Sequence, residues 1–145
     1  SKLAGEREIM KATKKFYILR TSWLYGVGGY VDAMLTFSNF RKEISVVDDQ
    51  IGCPTWVDDV SKKIVEIIKE KKPYGIYHVS SSGSASWSDF TKKIFELKKR
   101  NVEVTAIDKS DFPRPALRPK YCVLDSENAL PDWKNSLEEY LTSKN

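Results

Sequence analysis

A chain of 145 residues is long enough for one hydrophobic core, and 41% hydrophobic with 30% charged residues describes a globular domain. The net charge of +4 (24 basic against 20 acidic residues) is small and spread along the chain, which argues against a nucleic-acid surface. Two cysteines, Cys53 and Cys122, without CxxC spacing and with one histidine, argue against structural zinc; a chain of this size needs no disulfide framework, and pairing of the two with each other stays open. No apolar run approaches membrane-spanning length, so no membrane partner and a cytoplasmic location are expected.

Residues 3–15 read as a Lys- and Glu-rich helix with few apolar positions, one that needs further chain to pack against. Phe16 to Thr21 is a compact apolar run of strand length, as in a buried parallel sheet. Gly26, Gly28 and Gly29 open a loop, followed by a helix over Val31–Phe40 with Val31, Met34, Leu35 and Ser38 on one side. Ile44 to Val47 is a short strand, and Asp48 to Gly52 a turn. The clearest helix spans Val57–Lys71: Val57, Val60, Ile64, Ile67 and Ile68 recur at helical spacing, and Asp58 and Asp59 complement the dipole of the first turn. Thr55 or Trp56 stands at its start, with a capping role preferred for the Thr55 hydroxyl, and Pro73 and Gly75 stop the helix.

Ile76 to Val79 is a strand, and its His78 reads as a packed, hydrogen-bonded structural residue. Ser86 and Asp89 form a capping box that starts a helix with Trp87, Phe90, Ile94 and Leu97 as its buried stripe. Val102 to Ile107 alternates like a strand, Pro113, Pro115 and Pro119 impose an extended path, and a last helix covers Asn135–Leu141. The order is an α/β alternation with two or three clear sheet strands, too few for a complete doubly wound sheet.

Four stretches carry polar chemistry. Arg20-Thr21-Ser22-Trp23 follows a parallel strand, and α/β sheets bind ligands at the carboxyl ends of such strands. Gly26-Val27-Gly28-Gly29 lacks the strand–GxGxxG–helix frame of a dinucleotide turn and reads as a substrate-side loop. Asp49 to Thr55 combines a polar pair, a glycine that permits close backbone approach and a proline. Within it Gln50 can bond a base or a sugar, while Asp48 and Asp49 alone are too few for a metal site. Arg118 ends a proline-stiffened segment and is placed for bidentate contact with a diphosphate, with Arg114 as a lesser candidate. No Ser-His-Asp or Cys-His arrangement is present.

Ser1 to Glu6, Leu19 to Gly26, Asp49 to Thr55, Gly75 to His78 and Arg118-Pro119, taken together and in that order, resemble the dTDP-4-dehydrorhamnose reductase family of extended short-chain dehydrogenase/reductases. The likeness runs from residue 1 to about residue 125. The fold it implies is α/β, the C-terminal, substrate-binding half of such an enzyme over residues 1–145: an incomplete Rossmann-type sheet plus a small α/β substrate lobe, with the N-terminal dinucleotide-binding part outside the chain. Lys2 then matches the lysine of a Tyr-x-x-x-Lys catalytic pair, which stabilises the tyrosine as phenolate and holds the nicotinamide ribose. Thr21 and Ser22 would lie near the nicotinamide, Trp23 beside the deoxysugar ring, Gln50 in the nucleotide-sugar pocket and Arg118 at the diphosphate. Gly29 stands where the family commonly has Asn.

The resemblance further implies NADPH or NADH as cofactor and a dTDP-sugar substrate. The partner is the N-terminal half or a separate cofactor-binding chain, with a homo-oligomer also open, and the 145 residues alone are expected to be inactive. A non-catalytic relative of the methionine adenosyltransferase regulatory-subunit type, or another nucleotide-sugar member of the superfamily, is the alternative.

Overall fold

The computed structural model describes residues 2–111, 118–125 and 130–144. Helix α1 (Lys2–Ala12) leads into strand β1 (Tyr17–Arg20), then β2 (Leu24–Tyr25) and helix α2 (Tyr30–Phe37). Strands β3 (Glu43–Val47), β4 (Ile51–Gly52) and β5 (Thr55–Trp56) precede α3 (Val57–Lys69). Strands β6 (Gly75–His78), β7 (Ser81–Ser82) and β8 (Ala85–Ser86) precede α4 (Trp87–Leu97), and β9 (Glu103–Ile107), β10 (Leu130–Asp132) and α5 (Trp133–Thr142) complete the order.

The predicted strands pair in parallel across long crossovers. β1 runs beside β6 with Ile18 opposite Ile76, and β3 runs beside β9 with Val46 opposite Ala106. Two shorter parallel pairs, β2 with β5 and β7 with β10, and the antiparallel pair of β4 with β8 complete the strand pairing. β4 falls inside the stretch expected to be only a turn. There the Ile51 N–H donates to the Lys120 carbonyl, and the backbone needs a partner that sequence pattern alone does not reveal.

The core is aromatic and gathers β2, α2, β5, α4 and α5. Tyr25, Val31, Met34, Trp56, Phe90, Ile94, Phe95, Trp133, Leu137 and Tyr140 are buried together. α4 enters this core as predicted: Asp89 N–H donates to Ser86 Oγ at 2.9 Å, and the Asp89 carboxylate accepts from Ser86 N–H at 3.5 Å. Its stripe differs at the ends, because Phe90 and Ile94 are buried while Trp87 and Leu97 are only half-buried. α2 stops at Phe37, three residues earlier than expected, where Ser38 caps it and leaves Phe40 exposed.

One expectation fails for a physical reason. Thr55 does not cap α3, whose N-cap is Trp56 with no side-chain hydrogen bond. Thr55 is fully buried and bridges two loops instead, donating to the Cys53 carbonyl at 2.9 Å and accepting from Ser81 N–H at 3.3 Å. The α3 stripe has helical spacing, but Ile67 alone among its five apolar positions is buried, while Val57, Ile64 and Ile68 are exposed. α1 likewise buries no residue. No described helix is long and apolar enough to cross a membrane.

Candidate functional site

The carboxyl ends of β1 and β6 lie side by side, with Arg20 opposite His78. Beyond them stand Thr21 and Ser22, which follow β1, and Ser80 and Ser81, which lead from β6 into β7. Ser22 is buried and ties two distant segments together: its Oγ donates to the Cys122 carbonyl at 3.2 Å and accepts from Cys53 N–H at 3.4 Å. The hydroxyls of Thr21, Ser80 and Ser81 are buried without a hydrogen-bond partner among the described residues. Buried polar groups are paired in the great majority of proteins, and these three unpaired hydroxyls lie at adjoining strand ends, while the other buried side-chain oxygens without a hydrogen bond, on Tyr25, Asp49 and Ser88, lie elsewhere. A groove of about 500 Å³ opens beside them, walled by Ser81, Ser82, Gly83 and Ser84 on one side and by Tyr121, Val123, Leu124 and Asp125 on the other.

The second wall is the continuation of Arg118. It is held by the Ile51–Tyr121 bridge and by His78 Nδ1, which lies 3.0 Å from the Asp125 carbonyl. His78 thus has the structural role expected of it. Arg118 is exposed, and its positive charge reaches Cys122, whose thiol burial pushes up against that influence. Gln50 is half-buried, one residue before β4, and its side chain makes no hydrogen bond among the described residues. Arg114, with Pro113 and Pro115, lies outside the described residues. Asp48 and Asp49 are both used within the chain, Asp48 accepting from Ser86 Oγ at 2.6 Å and Asp49 from Lys109 N–H at 3.1 Å.

Lys2 is exposed at the first turn of α1. The contact that orients α1 was not legible as a function: Arg20 donates from Nε to Glu6 at 3.0 Å and from a terminal nitrogen at 2.6 Å, a two-pronged pairing between the helix of Lys2 and the strand that ends at Thr21. The Arg20 hydrogen bond holds the Glu6 carboxyl below its ordinary pKa. Both residues lie inside motifs singled out in the sequence, but only the fold brings them together.

Trp23 takes an unexpected posture. It adopts φ 41°, a left-handed conformation uncommon for a bulky residue, with its carbonyl accepting from Thr55 N–H at 3.1 Å. Trp87 stacks on its indole at 3.8 Å and an interplanar angle of 10°. A Cβ added at Gly52 would lie 2.6 Å from Trp23 Nε1 and 2.7 Å from Cδ2, with no Trp87 atom as near, so Gly52 covers the opposite face. Both faces of the indole are therefore covered from within the chain, by Trp87 on one side and by the Gly52 backbone on the other.

A parallel α/β pair with polar groups gathered at its carboxyl ends, joined to a lobe that walls a groove beside them, is the substrate side of an extended short-chain dehydrogenase/reductase. The chain belongs to the RmlD substrate binding domain family, which matches residues 1–145. It is 36% identical to the Bacillus subtilis spore coat polysaccharide biosynthesis protein SpsK, over 99% of this chain and 53% of that protein. With the dTDP-4-dehydrorhamnose reductase of Sinorhizobium fredii it shares 36% identity over 94% of this chain and 52% of the relative. The crystal structure of a dTDP-4-dehydrorhamnose reductase from Clostridium acetobutylicum superposes with a TM-score of 0.94 at 39% identity, covering 99% of this chain and 54% of the other. The corresponding Bacillus anthracis enzyme, solved in complex with NADP, gives a TM-score of 0.92 at 38% identity, covering 99% and 54%. The chain spans about half the length of the curated relatives it matches.

Proposed function

We propose that this chain is the substrate-binding portion of a dTDP-4-dehydrorhamnose reductase, the enzyme that reduces the C4 ketone of dTDP-6-deoxy-L-lyxo-4-hexulose to give dTDP-L-rhamnose. The observation that carries the reading is the convergence of the family's segments on one place: Thr21 and Ser22 at the carboxyl end of β1, tied through Ser22 Oγ to the segment that Arg118 begins. Relatives bearing that enzyme's name, over nearly the whole of this chain, support it.

The orphan hydroxyl of Thr21 fits a nicotinamide cofactor, because a carboxamide offers both the donor and the acceptor that this buried oxygen lacks. NADPH or NADH, bound mainly by the N-terminal half, supplies the hydride. This chain's part is to bind and to orient. Lys2, on a helix fixed by the Glu6–Arg20 pairing, keeps a positive charge beside the tyrosine that stands four residues before it in the family pattern. That charge favours phenolate and so lets the tyrosine give its proton to the new C4 oxygen near neutral pH. Arg118 takes the diphosphate, Gln50 the nucleotide or sugar, and Trp23 borders the deoxysugar. Binding at these remote groups aligns the ketone for transfer. The exposed side chains Leu3 and Ile9 on α1, Ile64, Val65 and Ile68 on α3, and Ile76 on β6 are the apolar surface on which the cofactor-binding half docks.

Calorimetric titration with dTDP tests this reading. Weak but measurable binding is expected, and Arg118→Ala should weaken it about tenfold through the loss of a charge-assisted contact. Unchanged affinity would remove Arg118 from the site, and no binding by the parent chain would remove the nucleotide-sugar assignment.

A further inference from the structure

Nothing in the family likeness explains why Trp23 is clamped, and the clamp has an origin outside the proposed ligand contacts. A left-handed backbone is unfavourable for a tryptophan, so surrounding contacts must hold it. Three elements do so. Gly52 on β4 supplies a face with no side chain, the Thr55 amide of β5 fixes the Trp23 carbonyl, and Trp87 of α4 covers the other face. Trp87 is itself held in place. It is the first residue of a helix closed by the Ser86–Asp89 capping box, and the Tyr30 ring tilts against it at 4.5 Å. Thr91 Oγ1 donates to the Trp87 carbonyl at 2.8 Å, which leaves the Tyr30 hydroxyl to donate to Thr91 at 2.6 Å. Trp23, Trp87 and Tyr30 all remain half-buried, so this aromatic step reaches the surface. The Nε1–H of Trp23 has no acceptor among the described residues.

We propose that Trp87 is a positioning residue for the sugar end of the substrate site: it holds Trp23 edge-on, so that the indole Nε1–H is the donor presented to a sugar oxygen. This rests on the reading that Trp23 borders the deoxysugar. It replaces the usual stacking of a sugar on an indole face, which the Trp87–Gly52 sandwich closes off. A donor held at a fixed angle discriminates by oxygen position, whereas a stacked face discriminates by the apolar outline of the ring.

The test compares dTDP with dTDP-L-rhamnose on the parent chain and on Trp87→Phe, Trp87→Ala and Trp23→Phe. Circular dichroism follows the exciton couplet of the stacked indoles and confirms that each variant is folded. The parent chain should bind the sugar nucleotide more tightly than dTDP. Trp87→Ala should erase that increment, about tenfold, without changing dTDP affinity, while Trp87→Phe, which restores an aromatic face, keeps most of it. Trp23→Phe should lose the same increment, and the Trp23→Phe/Trp87→Ala pair should lose no more than either alone. A purely structural role would lower both affinities together. An increment that survives in Trp87→Ala after the couplet is gone overturns the proposal. So does a parent chain that binds both ligands equally. Failure of the parent chain to bind dTDP at all overturns the nucleotide-sugar reading and, with it, this one.

Discussion

Thr55 shows how a single hydroxyl can be read correctly in type and wrongly in role. A threonine before an acidic first turn is the ordinary pattern of an N-cap, yet its oxygen is spent between the Cys53 carbonyl and the Ser81 amide. Those two groups belong to the segment before β5 and to the start of β7, so Thr55 fastens one groove wall, the one that Ser81 opens, to the β4–β5 segment. Thr55→Val keeps the shape but leaves a buried amide and a buried carbonyl unpaired, and should lower unfolding stability by about 1–3 kcal/mol. Thr55→Ser, which keeps both bonds, should lose much less. Equal losses in urea titrations would mean that the methyl group and not the bridge matters. Gly52 belongs to the same scale: its lack of a side chain, noted in the sequence as permitting close approach, is used by the Trp23 indole.

Elements are fixed to one another by small polar knots as much as by the aromatic core. Asp32 on α2 accepts from Gly28 N–H at 2.7 Å, from the Tyr140 hydroxyl at 3.0 Å and from Lys144, and so fastens the glycine loop to α5. Burial raises the Asp32 pKa, but the hydrogen bonds from Lys144, Gly28 and Tyr140 together outweigh it and hold the carboxyl below the ordinary carboxylate value. A depressed folded-state pKa contributes stability that is complete above the unfolded value of about 3.9 and is lost as pH falls through the folded one. Below about pH 4, therefore, the glycine loop and the end of α5 should loosen first, seen as faster amide exchange at Gly28 and around Tyr140. Asp32→Asn should cost about 1–3 kcal/mol at neutral pH and flatten that acid dependence. An unaltered acid profile in the variant would assign it to other carboxylates.

At the scale of the whole molecule, what stands out is what the chain leaves uncovered. α3 has the periodicity of a helix buried on one side, but Ile64 is 39% and Ile68 58% exposed, and α1 has no buried residue. Such a face lowers its free energy by association. Sedimentation velocity on the 145-residue chain should show reversible self-association, and Ile68→Lys should shift it towards monomer while changing stability by no more than about 0.5 kcal/mol. A parent chain that sediments as a monomer at high concentration would overturn that expectation. The sequence by itself determined the α/β order, the helices and their capping box, the parallel strands and the family. These depend on period, on cap chemistry and on short motifs, all of which are local. Only the tertiary structure decided that Thr55 bridges loops, that Glu6 and Arg20 pair, that β4 lies within a stretch read as a turn, and that Trp87 and Gly52 enclose Trp23. Each of those depends on which distant segment lies opposite, a quantity that no spacing along the chain contains. The exposed stripe of α3 follows the same rule, since periodicity shows that a helix has an apolar side and contacts alone show whether anything covers it.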